Sequence, residues 1–371
     1  MTPTLPDDST ANLADLLPSI AAHLGVPDAA DDLLGLPGAR RFVVLLVDGL
    51  GAQLLNRAVR QTPYFAGLLG ASPLIAGVPS TTVTSLTTLG TGVPPGQHGM
   101  AGYTFRIGPG RLLGPLGWDQ PVDPMAVQPK TTWFERCAAA GVTVGGVVPE
   151  RFLGSGLTRA ALRGPDFAGV GDERDEQLRI DLTVAAATAG PRTLVYTYER
   201  ELDHTGHSLG CESRAWTSQL RRIDAFAERL RDALPDDVVL IVTGDHGMVD
   251  VPPWRRLVAE HEPDLLADVQ LLGGEGRLRQ LYVGRGREES VAHRWRDRLG
   301  ADAWVLTRRE AIEAGWFGPM DVRVADRFGD VMVACRSDFA VLTTARPKEL
   351  ALVGMHGSLT AAEMLVPFLV D

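Results

Sequence analysis

Residues 238–250 read Val-Val-Leu-Ile-Val-Thr-Gly-Asp-His-Gly-Met-Val-Asp. A short run of Val, Leu and Ile is the pattern of a strand buried on both faces of a parallel sheet. It stops at Gly244-Asp245-His246-Gly247, a carboxylate beside an imidazole, flanked by glycines that let the backbone turn and come close to something. Open α/β sheets bind ligands beyond the carboxyl ends of their strands, which makes this pair a candidate for a divalent metal. Taken alone, such a stretch is more often an ordinary turn.

The rest of the chain changes that balance. A second apolar run, Phe42-Val43-Val44-Leu45-Leu46-Val47, stops at Asp48-Gly49. A third, residues 193–198, leads directly into Glu199-Arg200-Glu201-Leu202-Asp203-His204-Thr205-Gly206-His207. Residues 142–148 supply another strand. Helical patterns fall between them: residues 52–58, residues 131–140 with Gly141 as a stop, residues 172–189 with an Asp cap, and residues 213–234. In the last of these Trp216, Leu220, Ile223, Ala227 and Leu230 recur at helical spacing. This alternation predicts an α/β fold, a central, mostly parallel sheet covered by helices on both faces.

Residues 1–40 read as an N-terminal arm packed on the main body, and the Gly- and Pro-rich residues 108–128 as a loop. Residues 252–330 change texture, with short strands, short polar helices and many arginines, and read as a smaller α+β insertion or cap. The metal-binding core is then residues 41–251 with 331–371.

A formal net charge of -10 disfavours a nucleic acid polymer as partner. A small anion held through metals stays open, because the metals bring their own charge. Cys137, Cys211 and Cys335 are odd in number and widely spaced, which fits a reducing compartment better than a disulfide framework. The N-terminal stretch, with Asp7 and Asp8, lacks a cationic start and an apolar core, and no apolar run is long enough to span a bilayer. A cytoplasmic protein without a membrane partner is the expectation, and nothing in the sequence sets an oligomeric state.

Two further stretches carry chemistry. In Val78-Pro79-Ser80-Thr81-Thr82-Val83, Ser and Thr are good N-caps, so a helix begins near Thr81 or Thr82 and offers its N-terminus to a phosphate. In Gly354-Met355-His356-Gly357 a further imidazole stands in a turn. Asp203 and His207 are four apart and share a helix side. Asp48, Asp203 and Asp245 would gather at one sheet edge, with enough ligands for two divalent ions. Imidazole with carboxylate suits zinc, and also manganese or iron.

Asp48-Gly49, Val78-Pro79-Ser80-Thr81-Thr82, Asp203-x-x-x-His207, Asp245-His246-Gly247 and His356-Gly357 stand in the order seen in the alkaline phosphatase superfamily. The chain most resembles its nucleotide pyrophosphatase/phosphodiesterase branch. The resemblance implies an alkaline-phosphatase-like fold and a di-zinc site. One metal would be held by Asp203, His207 and His356, the other by Asp48, Asp245, His246 and the Thr82 hydroxyl. Thr82 takes the place of the family's nucleophile, and Thr81 is the alternative if the helix starts one residue earlier. The implied reaction is hydrolysis of phosphodiester or pyrophosphate bonds in small, nucleotide-like substrates through a phospho-threonine.

Where the family often places a phosphate-contacting Asn, this chain reads Met100-Ala101-Gly102-Tyr103, so Tyr103 is the candidate substrate contact. Tyr103, Phe105 and Trp118 are candidates for stacking on a base. His204 is expected beside the ligands rather than among them, and His23, His98, His261 and His293 as structural or surface residues. A phosphomonoesterase or phosphonate hydrolase is the runner-up, for which the loops near Thr82 offer only Arg106 and Arg111. A non-catalytic metal-binding protein is the third reading.

Overall fold

The protein is described by a computed structural model covering residues 2–6, 10–29 and 31–371; Asp7 and Asp8 lie outside these described residues. In chain order the elements used below are β1 (Arg41–Val47), α1 (Thr82–Thr91), β2 (Thr143–Pro149), β3 (Asp166–Val170), α2 (Glu176–Thr188), β4 (Thr193–Glu199), α3 (Glu201–Leu209), α4 (Arg214–Ala233) and β5 (Val238–Gly244). They continue with β6 (Val269–Glu275), β7 (Leu278–Val283), α5 (Glu288–Leu299), β8 (Ala303–Thr307), β9 (Val331–Cys335) and β10 (Phe368–Val370).

A six-stranded sheet runs in the order β10-β5-β1-β4-β2-β3, parallel except for β10. Side chains of successive strand residues point to opposite faces, so a strand with no polar face must be covered twice. In β1, Phe42, Val44 and Leu46 enter one apolar cluster and Val43, Leu45 and Val47 the other. Helices supply both covers. The α4 stripe of Trp216, Leu220, Ile223, Ala227 and Leu230 is buried in the second cluster, and the Ser213 side chain accepts from the Trp216 N–H to cap the helix. Each large apolar side chain buried here contributes about 1.5–3 kcal/mol. The N-terminal arm seals the first cluster with Leu13, Leu16, Leu17 and Ile20, all fully buried.

A second, antiparallel sheet of order β6-β7-β9-β8 is backed by α5 through Val291, Trp295 and Leu299. Here the structure departs from the sequence reading. β9 does not return to the core but lies between β7 and β8, and Ala340–Leu342 pairs with Arg256–Val258. Apolar strand texture marks burial, not which sheet does the burying. The α2 cap is Asp175 rather than Asp172, and the loop of residues 108–128 begins with the turn and second strand of a hairpin that pairs Phe105–Gly108 with Arg111–Leu113. Among the described residues no helix is long and apolar enough to cross a membrane.

Candidate active site

Register sets the site. Val47 is level with Glu199 on one side and Gly244 on the other, so the chain leaves β4, β1 and β5 side by side at one edge. Asp48 follows β1, Asp245 follows β5, and Asp203 follows β4 on the first turn of α3. Gly49, at φ 74°, lets the backbone pass so near Asp203 that a Cβ would stand 3.1 Å from its Cα. Asp245 Oδ1 accepts the N–H groups of Gly49 and His246, both at 3.0 Å. Its Oδ2 is left over, as are Asp48 Oδ1 and Asp203 Oδ1, all buried without a hydrogen-bond partner among the described residues.

The three histidines share a habit. His246 Nδ1 bonds Gly247 O at 2.9 Å, His207 Nδ1 bonds Gly354 O at 2.8 Å, and His356 Nδ1 bonds Ser80 O at 3.0 Å. A carbonyl accepts, so in each ring Nδ1 carries the proton and Nε2 keeps its lone pair. Those Nε2 atoms turn to carboxylates: His207 to Asp203 at 3.4 Å, His356 to Asp203 at 3.9 Å, His246 to Asp48 and Asp245 at 3.5 and 3.6 Å. The His246 and His356 rings stack 3.6 Å apart.

Asp203, His207 and His356 thus form one group whose donor atoms lie within 4.8 Å of one another, and Asp48, Asp245 and His246 a second. Burial, with the charges of Asp245 and Asp203, pushes the Asp48 carboxyl well above its usual range, and burial likewise raises Asp245. Burial beside His246 and His207 pushes His356 well below the usual imidazole range. Packed carboxylates and lone pairs facing one another are the electrostatics of a place made for cations.

Thr81 is the N-cap of α1 and Thr82 its first helical residue, with Thr82 Oγ1 3.2 Å from His246 Nε2. The loop before it is pinned to the His356 segment, since Ser80 N–H donates to Gly357 O at 3.1 Å and Ser80 Oγ to Ser358 O at 2.6 Å. Tyr198, not singled out in the sequence, donates its hydroxyl to Asp48 Oδ2. The signal was its place five residues before Asp203, within a strand that reads as plain core.

An apolar pocket opens beside Thr82, walled by Leu86, Leu116, Phe152, Leu157, Tyr196 and Tyr198 among others. Tyr103 is not among its lining residues; its ring lies 5.7 Å from the Arg346 guanidinium carbon. Phe105 is fully buried, and the Trp118 indole N–H donates to Val122 O at 2.8 Å, so the three aromatics expected from sequence pack elsewhere. His204 is exposed, and His98 is buried against Thr88.

Human ectonucleotide pyrophosphatase/phosphodiesterase family member 7 is 32% identical over 130 residues, 30% of this chain and 28% of that protein, so the match spans under a third of that relative's length. Among solved structures, an inactive murine ectonucleotide pyrophosphatase/phosphodiesterase 5 in complex with AMP superposes with TM-score 0.71 at 19% identity, over 90% of this chain and 88% of that one. Phosphonoacetate hydrolase from Sinorhizobium meliloti 1021, in complex with phosphonoformate, gives TM-score 0.66 at 20% identity over 90% and 91%. At such identities these two likenesses are of fold. Residues 42–359 match the family described as Type I phosphodiesterase / nucleotide pyrophosphatase. The chain belongs to that family.

Proposed function

We propose that the chain is a two-metal phosphodiesterase acting on small, nucleotide-like diesters or pyrophosphates, with Thr82 as nucleophile. One observation carries the reading: three partnerless carboxylate oxygens and three Nε2 lone pairs converge beside a single buried threonine hydroxyl. The donor sets fit divalent cations, and zinc first, since each mixes imidazole with carboxylate. Asp203, His207 and His356 would hold one ion, and Asp48, Asp245, His246 and Thr82 the other. Such ions, when bound, lower the proton affinity of a hydroxyl and neutralise phosphoryl oxygens.

The chain's own residues do the rest. Thr82 Oγ attacks phosphorus in line, forming the Oγ–P bond as the bond to the leaving oxygen breaks. Water then opens the phospho-threonine, releasing the monoester and restoring the hydroxyl. The N-terminus of α1 adds partial positive charge at the phosphoryl group. Tyr198 holds Asp48 in orientation. The pocket of Phe152, Leu157 and Tyr196 suits the flat, apolar part of an ester group, and the structural neighbour solved with AMP supports a nucleotide-like substrate.

A phosphomonoesterase or phosphonate hydrolase needs more cationic help, because a monoester carries more charge. Arg106 is committed to Asp330 and to Asp326 O, and Arg111 to Gln120. Neither lines the pocket at Thr82, which favours the diester. The test is turnover of a chromogenic bis-aryl phosphodiester against the mono-aryl ester, by wild type and Thr82→Ala, with metal analysis of the purified protein. Faster diester turnover that vanishes in Thr82→Ala is expected. Equal rates in the two proteins would remove Thr82 from the reaction.

A further inference from the structure

Four buried carboxylate oxygens lack a hydrogen-bond partner among the described residues. Three belong to Asp48, Asp203 and Asp245, and the fourth is Glu275 Oε1. Glu275 ends β6, outside the central sheet, and is 8% exposed. Its other oxygen lies 3.6 Å from His356 Nδ1. Burial and the Glu349 charge push the carboxyl well above its usual range, against a smaller downward pull from the neighbouring Thr81 side chain. Gly357 packs so closely that a Cβ there would come within 2.8 Å of the Glu275 carboxyl carbon. Glu275 therefore touches the residue before Thr82, His356 itself and the residue after it.

We propose that Glu275 is a positioning residue of the metal site: the second sheet delivers its carboxylate behind the His356 ring, where it sets the affinity for the cation held on the ring's other side. The proposal rests on the two-metal reading above.

Among the described residues no arginine forms an ion pair with Glu275, although Arg277 and Arg279 follow it closely in the chain. Arg277 forks onto Glu363 at 3.0 and 2.7 Å, and Arg279 is bound to Glu349 and to Val341 O. The hairpin joining β6 to β7 thus holds the His356 loop twice. Glu275 does so directly, and Arg277 does so through Glu363, whose Oε1 also accepts the Ser358 N–H at 3.0 Å. His356 Nδ1 already donates to Ser80 O, so Glu275 supplies charge behind the ring rather than a substitute bond. The charge count agrees. Two divalent cations against Asp48, Asp203 and Asp245 leave one positive charge in a buried site, and Glu275 is the fourth carboxylate. Uncompensated charge in such surroundings is costly, and groups behind a ligating histidine tune how strongly it binds.

The full chain, stripped of metal, is titrated with zinc against a chromogenic chelator, and its thermal midpoint is recorded with and without zinc. Glu275→Gln is expected to weaken zinc binding about 10–100-fold while the metal-free midpoint stays near wild type. Glu275→Asp, which keeps the charge but draws it back, weakens it less and carries the measurement if the Gln variant does not fold. Asp330→Asn removes a buried carboxylate just before β9 bound to Arg106 and Arg308, and should lower the midpoint without loosening zinc. Equal zinc affinity in wild type and Glu275→Gln, or equal weakening in Asp330→Asn, overturns the proposal. A wild type that binds no divalent metal overturns the two-metal reading itself.

Discussion

Thr82 Oγ1 and His246 Nε2 stand 3.2 Å apart although 164 residues separate them in the chain. The imidazole proton is committed on its far side to Gly247 O, so the nitrogen facing the hydroxyl is a lone pair. Thr81 differs in kind, because it is the N-cap residue, its side chain interacts with the Glu275 carboxylate, and among the described residues no hydrogen bond links it to that nitrogen. Thr82→Ala should lower diester turnover by roughly a thousandfold or more, whereas Thr81→Ala keeps most of it. Steady-state kinetics on both variants, with metal content matched, checks the assignment. The reverse ranking would make Thr81 the nucleophile.

Chelation should destabilise the protein. Asp48 and Asp245 crowd one buried site, and each keeps a carboxylate oxygen without a hydrogen-bond partner among the described residues. A ligand present at a hundred times its dissociation constant stabilises the folded state by about 2.7 kcal/mol. Zinc added back to dialysed protein should therefore raise its thermal midpoint, and Asp245→Asn should blunt the rise. A midpoint indifferent to metal in the wild type would contradict this.

Arg277 and Glu363 are both fully buried and bound as a fork. Removing one partner strands the other's charge, so Arg277→Met should cost about 3–5 kcal/mol. Arg277→Met with Glu363→Met should recover much of that loss. Urea unfolding of the single and double variants measures both terms, and an undiminished loss in the double variant would show that packing rather than charge is at stake.

His98 gives a pH dependence of defined sign. Its Nε2 lies 3.0 Å from Thr88 Oγ1, and its Nδ1 accepts the Met100 N–H at 3.1 Å, leaving no room for a second proton. Burial, then the charges of Arg327 and Lys130, lower it from the ordinary 6.5 to about 3. The unfolded chain therefore binds a proton that the folded chain refuses. This contribution is present in full above the ordinary value and is lost as pH falls toward the folded one, at about 1.4 kcal/mol per pH unit. Stability of wild type minus that of His98→Gln, followed through this window, isolates the slope; a flat difference would contradict the assignment.

Much of the site's framework is legible in sequence because its causes are local. Strands buried on both faces must be apolar throughout, so the first polar residue after each, Asp48 or Asp245, marks the sheet edge. The i,i+4 step places His207 over Asp203 without tertiary information, and Thr81 and Thr82 announce a helix start. What is not legible depends on distant partners. Arg277 and Arg279 look like surface charge, yet both are buried because Glu363 and Glu349 wait 86 and 70 residues further on. Nothing near β9 tells it to join β7 and β8. Phe152 and Tyr196 line the Thr82 pocket only once β2 and β4 lie side by side, and Tyr103 is drawn off by Arg346.

The order of the chain has a bearing on how the protein is made. His356 lies beyond the whole second sheet, and the strand Phe368–Val370 that flanks Val238–Gly244 comes later still. At translation rates of about 5–20 residues per second, His246 precedes His356 by on the order of ten seconds. For that interval the emerging polypeptide carries Asp203 and His207 without the imidazole that completes their group, and Val238–Gly244 without the strand that closes its edge.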